Sequence, residues 1–348
     1  MKKNSRRLAV AAGTLVLVLA LSGFRDSGFG DNGARNKAET ATTWLKTQEQ
    51  PDGGFEVGGF PGFETPDAAL AIAENAQTTK SWNRGQALAA VSATKVGTKT
   101  LLHAIDDYAD SGLDAGQAAK LVQLVARPLG LSVTQFNPDH DHAVDLQALI
   151  DAGHKANGSY GAFNATLYSA IAKRKLGGVP ANTLAYIRSA QDQSGGWNFA
   201  GDPTDAAAAA DTDTTALAVQ ALVAARVRGG DGTLRRALTF LADNVQSDGA
   251  WQSFGADDPN STALAVLGIT AAGYDPTESC WRDTAVPGLR NTPYTSPITW
   301  LKADQASNGR FKSPNDSFGV NTFATTQSIQ ALRREWLPVD RLGAQPCS

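Results

Sequence analysis

The chain has 348 residues, 42% of them hydrophobic and 19% charged, which suits a globular protein with a sizeable core. Its formal charge of −3 becomes −7 if Lys2, Lys3, Arg6 and Arg7 leave with a leader segment, an acidic balance that excludes nucleic-acid binding. Abundant Ala, a single Met and apolar runs that keep helical spacing indicate an all-α body.

The first segment differs from all that follows. A basic start, "MKKNSRR", an apolar run, "LAVAAGTLVLVLALS", and the small residues Ala20 and Ser22 mark residues 1–22 as a secretory signal peptide of bacterial type. The mature chain is then expected outside the cell without stable membrane insertion, an uncleaved anchor being the alternative. Residues 23–37, rich in Gly and polar side chains, read as a flexible linker. In an exported protein the two cysteines, Cys280 and Cys347, read as one disulfide tying the tail 339–348 to the loop before the last repeat.

Residues 38–338 carry a repeat. "WLKTQEQPDGGF" (44–55), "YIRSAQDQSGGW" (186–197), "FLADNVQSDGAW" (240–251) and "WLKADQASNGRF" (300–311) share an aromatic–aliphatic pair, a Gln, then Gly-x-aromatic. A looser copy, "LIDAGHKANGSYGAF", covers 149–163. The pair buries one face of a helix, and the Asx/Ser-Gly step ends it with a left-handed residue. The Gln is expected to bond backbone groups at that helix end, and the last aromatic to pack over the junction. A second helix follows each unit, as in "PDAALAIA", "NATLYSAIA", "DTTALAVQAL", "NSTALAVLGI" and "FATTQSIQAL". A hairpin without the motif fits between them, with helices near 101–110 and 114–126. Six hairpins with short loops predict a closed ring whose inner helices surround a cavity.

These units resemble the QW repeats of squalene and other class II terpene cyclases, and related repeats of protein prenyltransferase β subunits. The resemblance implies an all-α, α6/α6 toroid, with motif-bearing helices outside and the second helices inside. The same toroid serves cobalamin carriers that catalyse nothing, so it implies no single function.

One stretch bears on catalysis. In class II cyclases an Asp-x-Asp-Asp-Thr-Ala segment opens an inner helix, and its middle Asp protonates the substrate. Asp211-Thr212-Asp213-Thr214-Thr215-Ala216 matches the first and middle acids, with Thr214 in place of the last. By that resemblance Asp213 is the general acid and Asp211 its orienting neighbour. The chain's own repeats offer another reading. Asn164 and Asn260 align with Asp213, and Thr166, Thr262 and Thr325 with Thr215, so the column resembles a set of helix caps. The helix dipole would also favour an ionised Asp213, contrary to the needs of a proton donor. On the residues alone the capping reading takes precedence.

Other constellations carry less. "DDYAD" (106–110) matches the pattern by which class I terpene synthases hold Mg²⁺, yet reads as a solvated acidic helix end on an outer helix. "PDHDH" (138–142) supplies two of the ligands zinc would need and reads as a polar turn. No metal or cofactor is expected. Thr214 and the aromatics Phe63, Tyr168, Phe254 and Phe323, near the inner-helix starts, are the candidate ligand contacts. The function expected first is non-catalytic binding of a bulky hydrophobic or corrinoid-like ligand, because the chain has one toroid and an incomplete acid motif. A small class II cyclase or isomerase using Asp213 is the alternative, and a protein-interaction toroid a second one.

Overall fold

The computed structural model of the protein describes residues 31–55, 64–79, 81–205, 208–285, 293–316 and 321–343. In chain order it opens with α1 (Asn32–Lys46) and α2 (Thr65–Asn75), then a short helix α3 (Arg84–Ser92) and a β1–β2 hairpin (Lys95–Val96, Lys99–Thr100). Next come α4 (Leu101–Asp110) and α5 (Ala115–Leu121), which runs on through a π-helical turn (Val122–Ala126) into Arg127–Leu129. The pairs α6 (Leu146–Gly153) with α7 (Phe163–Lys173) and α8 (Ala181–Ser189) with α9 (Thr212–Ala224) follow. A third pair, α10 (Gly232–Asn244) and α11 (Pro259–Ala271), encloses a β3–β4 hairpin (Gln252–Ser253, Ala256–Asp257). After α12 (Cys280–Ala285), α13 (Pro297–Asp304) and α14 (Phe323–Arg333) complete the chain's helices among the described residues.

The expected ring is present. Helices α5, α7, α9, α11 and α14 each touch the next, α14 reaches α2, and α2 meets the π-helical turn that continues α5. Inner and outer helices differ as this arrangement demands. In α11 nearly every residue from Pro259 to Ala271 is buried, whereas α10 buries one face, Leu234, Ala237, Leu238 and Leu241 among it. Helices α3 and α12 are additions to the six hairpins, α3 packing on α2 and α12 on α10. The linker is shorter than the sequence indicates. Asp31 accepts from the Ala34 N–H at 3.0 Å and starts α1, whose Ala34 and Ala38 are buried, so residues 32–37 are helical.

The repeat performs one operation in each of its five units, tying an outer helix to its inner partner and to the next outer helix. The aromatic that closes each unit donates its N–H to a buried Thr hydroxyl on the inner helix. Phe55 reaches Thr65 (2.9 Å), Tyr160 Thr166 (2.9 Å), Trp197 Thr215 (3.0 Å), Trp251 Thr262 (2.9 Å) and Phe311 Thr325 (3.0 Å). These threonines therefore fix the loop rather than cap the helix. Where the aromatic is Trp, its indole N–H also returns to the aliphatic of the pair, Trp197 to the Ile187 carbonyl and Trp251 to that of Leu241.

The motif Gly has two reasons to be Gly. Gly195 sits at φ 92°, and a Cβ there would lie 2.5 Å from the Arg236 carbonyl oxygen on α10. Gly309 repeats this against the Thr40 carbonyl of α1, so the last repeat abuts the first helix. Gln246 donates to the Asn244 carbonyl at the end of α10 as expected, whereas in two other units the Gln reaches beyond its own helix. Six residues before the aromatic, Gln191 donates to the Gly195 and Thr233 carbonyls, and Gln305 to those of Gly309 and Lys37. The amide thus spans neighbouring outer helices, because its own helix end is already satisfied by backbone bonds.

Glu49 holds that position in the first unit, where its Oε1 is buried without a partner and desolvation pushes its pKa up to about 7. Because the folded pKa is raised, Glu49 costs stability progressively as pH climbs from its ordinary value toward 7. Glu49→Gln should raise the melting temperature at pH 8 and leave it unchanged at pH 4. Calorimetry at the two pH values checks this, and an equal effect at both would contradict it.

Candidate active site

The N-terminal halves of the inner helices bring polar and aromatic side chains together at the ring's interior. Asp67 on α2 and Lys120 on α5 form a buried ion pair at 2.6 Å, and the Lys120 ammonium also lies 5.2 Å from the centre of the Phe323 ring on α14. Tyr168 on α7 feels the charges of both Asp67 and Asp213, and burial above all raises its phenol pKa. Asp213 on α9 hydrogen-bonds the Ser261 hydroxyl of α11, while Asn260 of α11 donates to Gln327 of α14. Glu64, at the α2 N-terminus, accepts from the Thr322 N–H at 2.9 Å and joins the first and last inner helices.

Asp211 and Asp213 divide the two roles weighed from sequence. Asp211 is the N-cap of α9, accepting from the Thr214 N–H at 2.7 Å and the Thr214 hydroxyl at 2.9 Å. Its own N–H bonds the Trp197 carbonyl at 3.0 Å, so the repeat loop sets the cap in place. Asp213 caps nothing. It is the second residue of the helix, its Oδ1 is shielded from solvent, and that oxygen has no hydrogen-bond partner. Desolvation pushes its pKa up to about 7 against the pull of Ser261, with Asp211 and Asp258 adding repulsion. The dipole argument for an ionised Asp213 is outweighed by this burial. A carboxyl kept largely neutral below pH 7 can donate a proton.

With the geometry in view, comparison with known proteins is informative about the fold. No protein-family model matches the chain, and no curated protein matches it in sequence. Among solved structures it is similar to a variant of the type II terpene cyclase MstE from Scytonema, in complex with its substrate geranylgeranyl dihydroxybenzoate. The TM-score is 0.56 at 17% identity, over 90% of this chain and 99% of that one. MstE without ligand gives 0.56 at 17% identity over 87% and 98%, and a protein from Actinoplanes 0.52 at 16% over 87% and 99%. The fold is the terpenoid cyclase α/α toroid.

Within the toroid, the sequence-derived candidates separate. Tyr168, Phe323 and Asp213 belong to the interior cluster, whereas Thr214 turns to Asp211 and serves the cap. Phe254 does not line the interior: it is 95% exposed, at the tip of the β3–β4 hairpin, where it and Gly255 take the positive φ values of a tight turn. Phe63 lies outside the described residues. So does Cys347, the expected partner of the buried Cys280 on α12. Asp67, Lys120 and Ser261 were missed. Their signal was available in part, since Asp67 and Lys120 are charges inside the apolar runs "PDAALAIA" and "AGQAAKLVQLVA".

The two acids should respond in opposite ways when altered. Asp211→Ala removes the cap and should cost roughly 1 kcal/mol. Asp213→Asn removes a carboxyl whose folded pKa exceeds its unfolded one, so it should stabilise the protein increasingly from about pH 4 to pH 7. Urea unfolding of both variants across that range checks the assignment, and an Asp213→Asn variant no more stable than the parent at pH 8 would return it to a capping role, since Asn caps about as well as Asp.

Proposed function

We propose that the protein is a type II cyclase-like enzyme that isomerises an apolar, alkene-bearing isoprenoid chain, with Asp213 as the general acid. The observation that carries this reading is Asp213 itself, an inner-helix carboxyl with a shielded, unpartnered oxygen and a pKa of about 7. Nothing hydrogen-bonds the Asp213 Oδ1 among the described residues. Proton transfer from that carboxyl to a terminal alkene carbon would leave a tertiary cation on the substrate. The π electrons of the next double bond would then close a ring, and loss of a proton would end the sequence with no net change in mass. The aromatic rings of Tyr168 and Phe323 would stabilise positive charge along such a path. Asp211 has a positioning role, fixing the helix start on which Asp213 rides.

The expectation that one toroid disfavours a cyclase loses its ground. MstE, a type II terpene cyclase, is covered over 99% of its length by a chain of this size. Non-catalytic binding of a hydrophobic or corrinoid-like ligand has no such support among the structural neighbours.

The test is incubation of the full chain with geranylgeranyl dihydroxybenzoate and with squalene, followed by chromatography and mass spectrometry. An isomer of unchanged mass is the expected product. Its formation should fall by roughly 10³-fold in Asp213→Asn. It should also decline above about pH 7 as Asp213 ionises. Formation of the same product by Asp213→Asn at an undiminished rate would refute the acid assignment.

A further inference from the structure

Two acidic segments that are far apart in the sequence meet on the outside of the ring. Asp106 and Asp110 lie one turn apart on α4, within "DDYAD". The loop carrying "PDHDH" is pinned at its base by reciprocal backbone bonds between Phe136 and Val144, both 2.9 Å. Folded back in this way, it sets Asp141 and His142 beside Asp110, and one ligand atom from each of the three lies within 4.8 Å of the others.

A second feature aims into this cluster from below. Asp106 is only 1% exposed and its Oδ2 is buried without a hydrogen-bond partner. Its carboxyl accepts the Asp139 N–H, but the group facing it is the carboxyl of Asp141, within hydrogen-bonding reach. Two carboxyls in that position need a proton or a cation between them. The nearby cation does not serve: the Lys99 ammonium meets His103, which in turn bonds Asp139 at 2.6 Å and Asp107 at 3.3 Å.

We propose that Asp110, Asp141 and His142, backed by the buried carboxyl of Asp106 beside Asp141, form a divalent-cation site that clips the 137–143 loop to the outer helix α4. Carboxylate oxygens with one imidazole nitrogen suit Zn²⁺ or Mn²⁺, whereas Ca²⁺ prefers oxygen alone. Three protein ligands leave one position of a tetrahedral Zn²⁺ to water, and further waters complete the shell of a larger ion. The site is built on α4 and its facing loop, apart from the interior cluster of Asp67, Lys120 and Asp213, so its role is to fix the loop.

The test is calorimetric titration of chelator-treated full chain with Zn²⁺ and with Mn²⁺, paired with thermal melts. Binding of one ion per chain with a rising melting temperature is expected. Asp106→Asn and His142→Ala should each weaken that binding by about tenfold or more. In metal-free buffer Asp106→Asn should be at least as stable as the parent, because the opposed carboxyls are gone, which separates binding from folding. The proposal is overturned by the lack of saturable binding of either ion up to about 1 mM. It is equally overturned by stoichiometric binding that both variants retain.

Discussion

The structure depends on a single recurring bond, the N–H of a motif aromatic given to the hydroxyl of a buried inner-helix threonine. At Trp197 it joins α8's loop to Thr215, and the same loop then returns to the Asp211 N–H. A buried amide with no partner is costly, so the bond fixes how far each outer helix is displaced from its inner one. The glycine of the unit sets the other dimension. By letting backbone meet backbone at Gly195 and Arg236, it sets the spacing between neighbouring outer helices.

Those constraints place Asp213. Thr215 is held by Trp197 and Asp211 by the end of the same loop, so the first turn of α9 has little freedom to rotate. Asp213, midway between them and on the opposite side of that turn, is then directed to the Ser261 hydroxyl of α11. Its position near a helix N-terminus would lower a carboxyl pKa in water, and the enclosure reverses the sign. Burial therefore decides the chemistry at this position, and the helix terminus decides only where the group is held.

Much of this was readable from residues. The spacing of aromatic, Gly and Gln gave the hairpins and the ring, because each residue type answers to one local geometry. The Asp211–Ala216 stretch marked the right turn, but two side chains two positions apart look equally able to cap. Only the direction of the chain entering α9 separates them. The alignment of Thr166, Thr262 and Thr325 with Thr215 was correct, yet its meaning was not, since their partners lie in loops up to 18 residues away. Phe254 misled because an aromatic near a helix start was taken to face inward. A two-residue turn with positive φ points it to solvent instead. The meeting of Asp106 with Asp141 was invisible, as it depends on how the 137–143 loop folds back.

Gly309 and Gln305 give the toroid a property that open repeat arrays lack. A solenoid can grow from one end, each unit resting on its neighbour. Here the carbonyls of Lys37 and Thr40 on the first helix are engaged by the last repeat, some 270 positions later. The opening helix cannot reach its final setting until almost the whole chain is available to receive it. Assembly is thus all-or-none in time as well as in space, with a long loop to close at the final step. A chain interrupted before residue 300 would leave both rims of the ring exposed, with α1 and α11 each short of a neighbour.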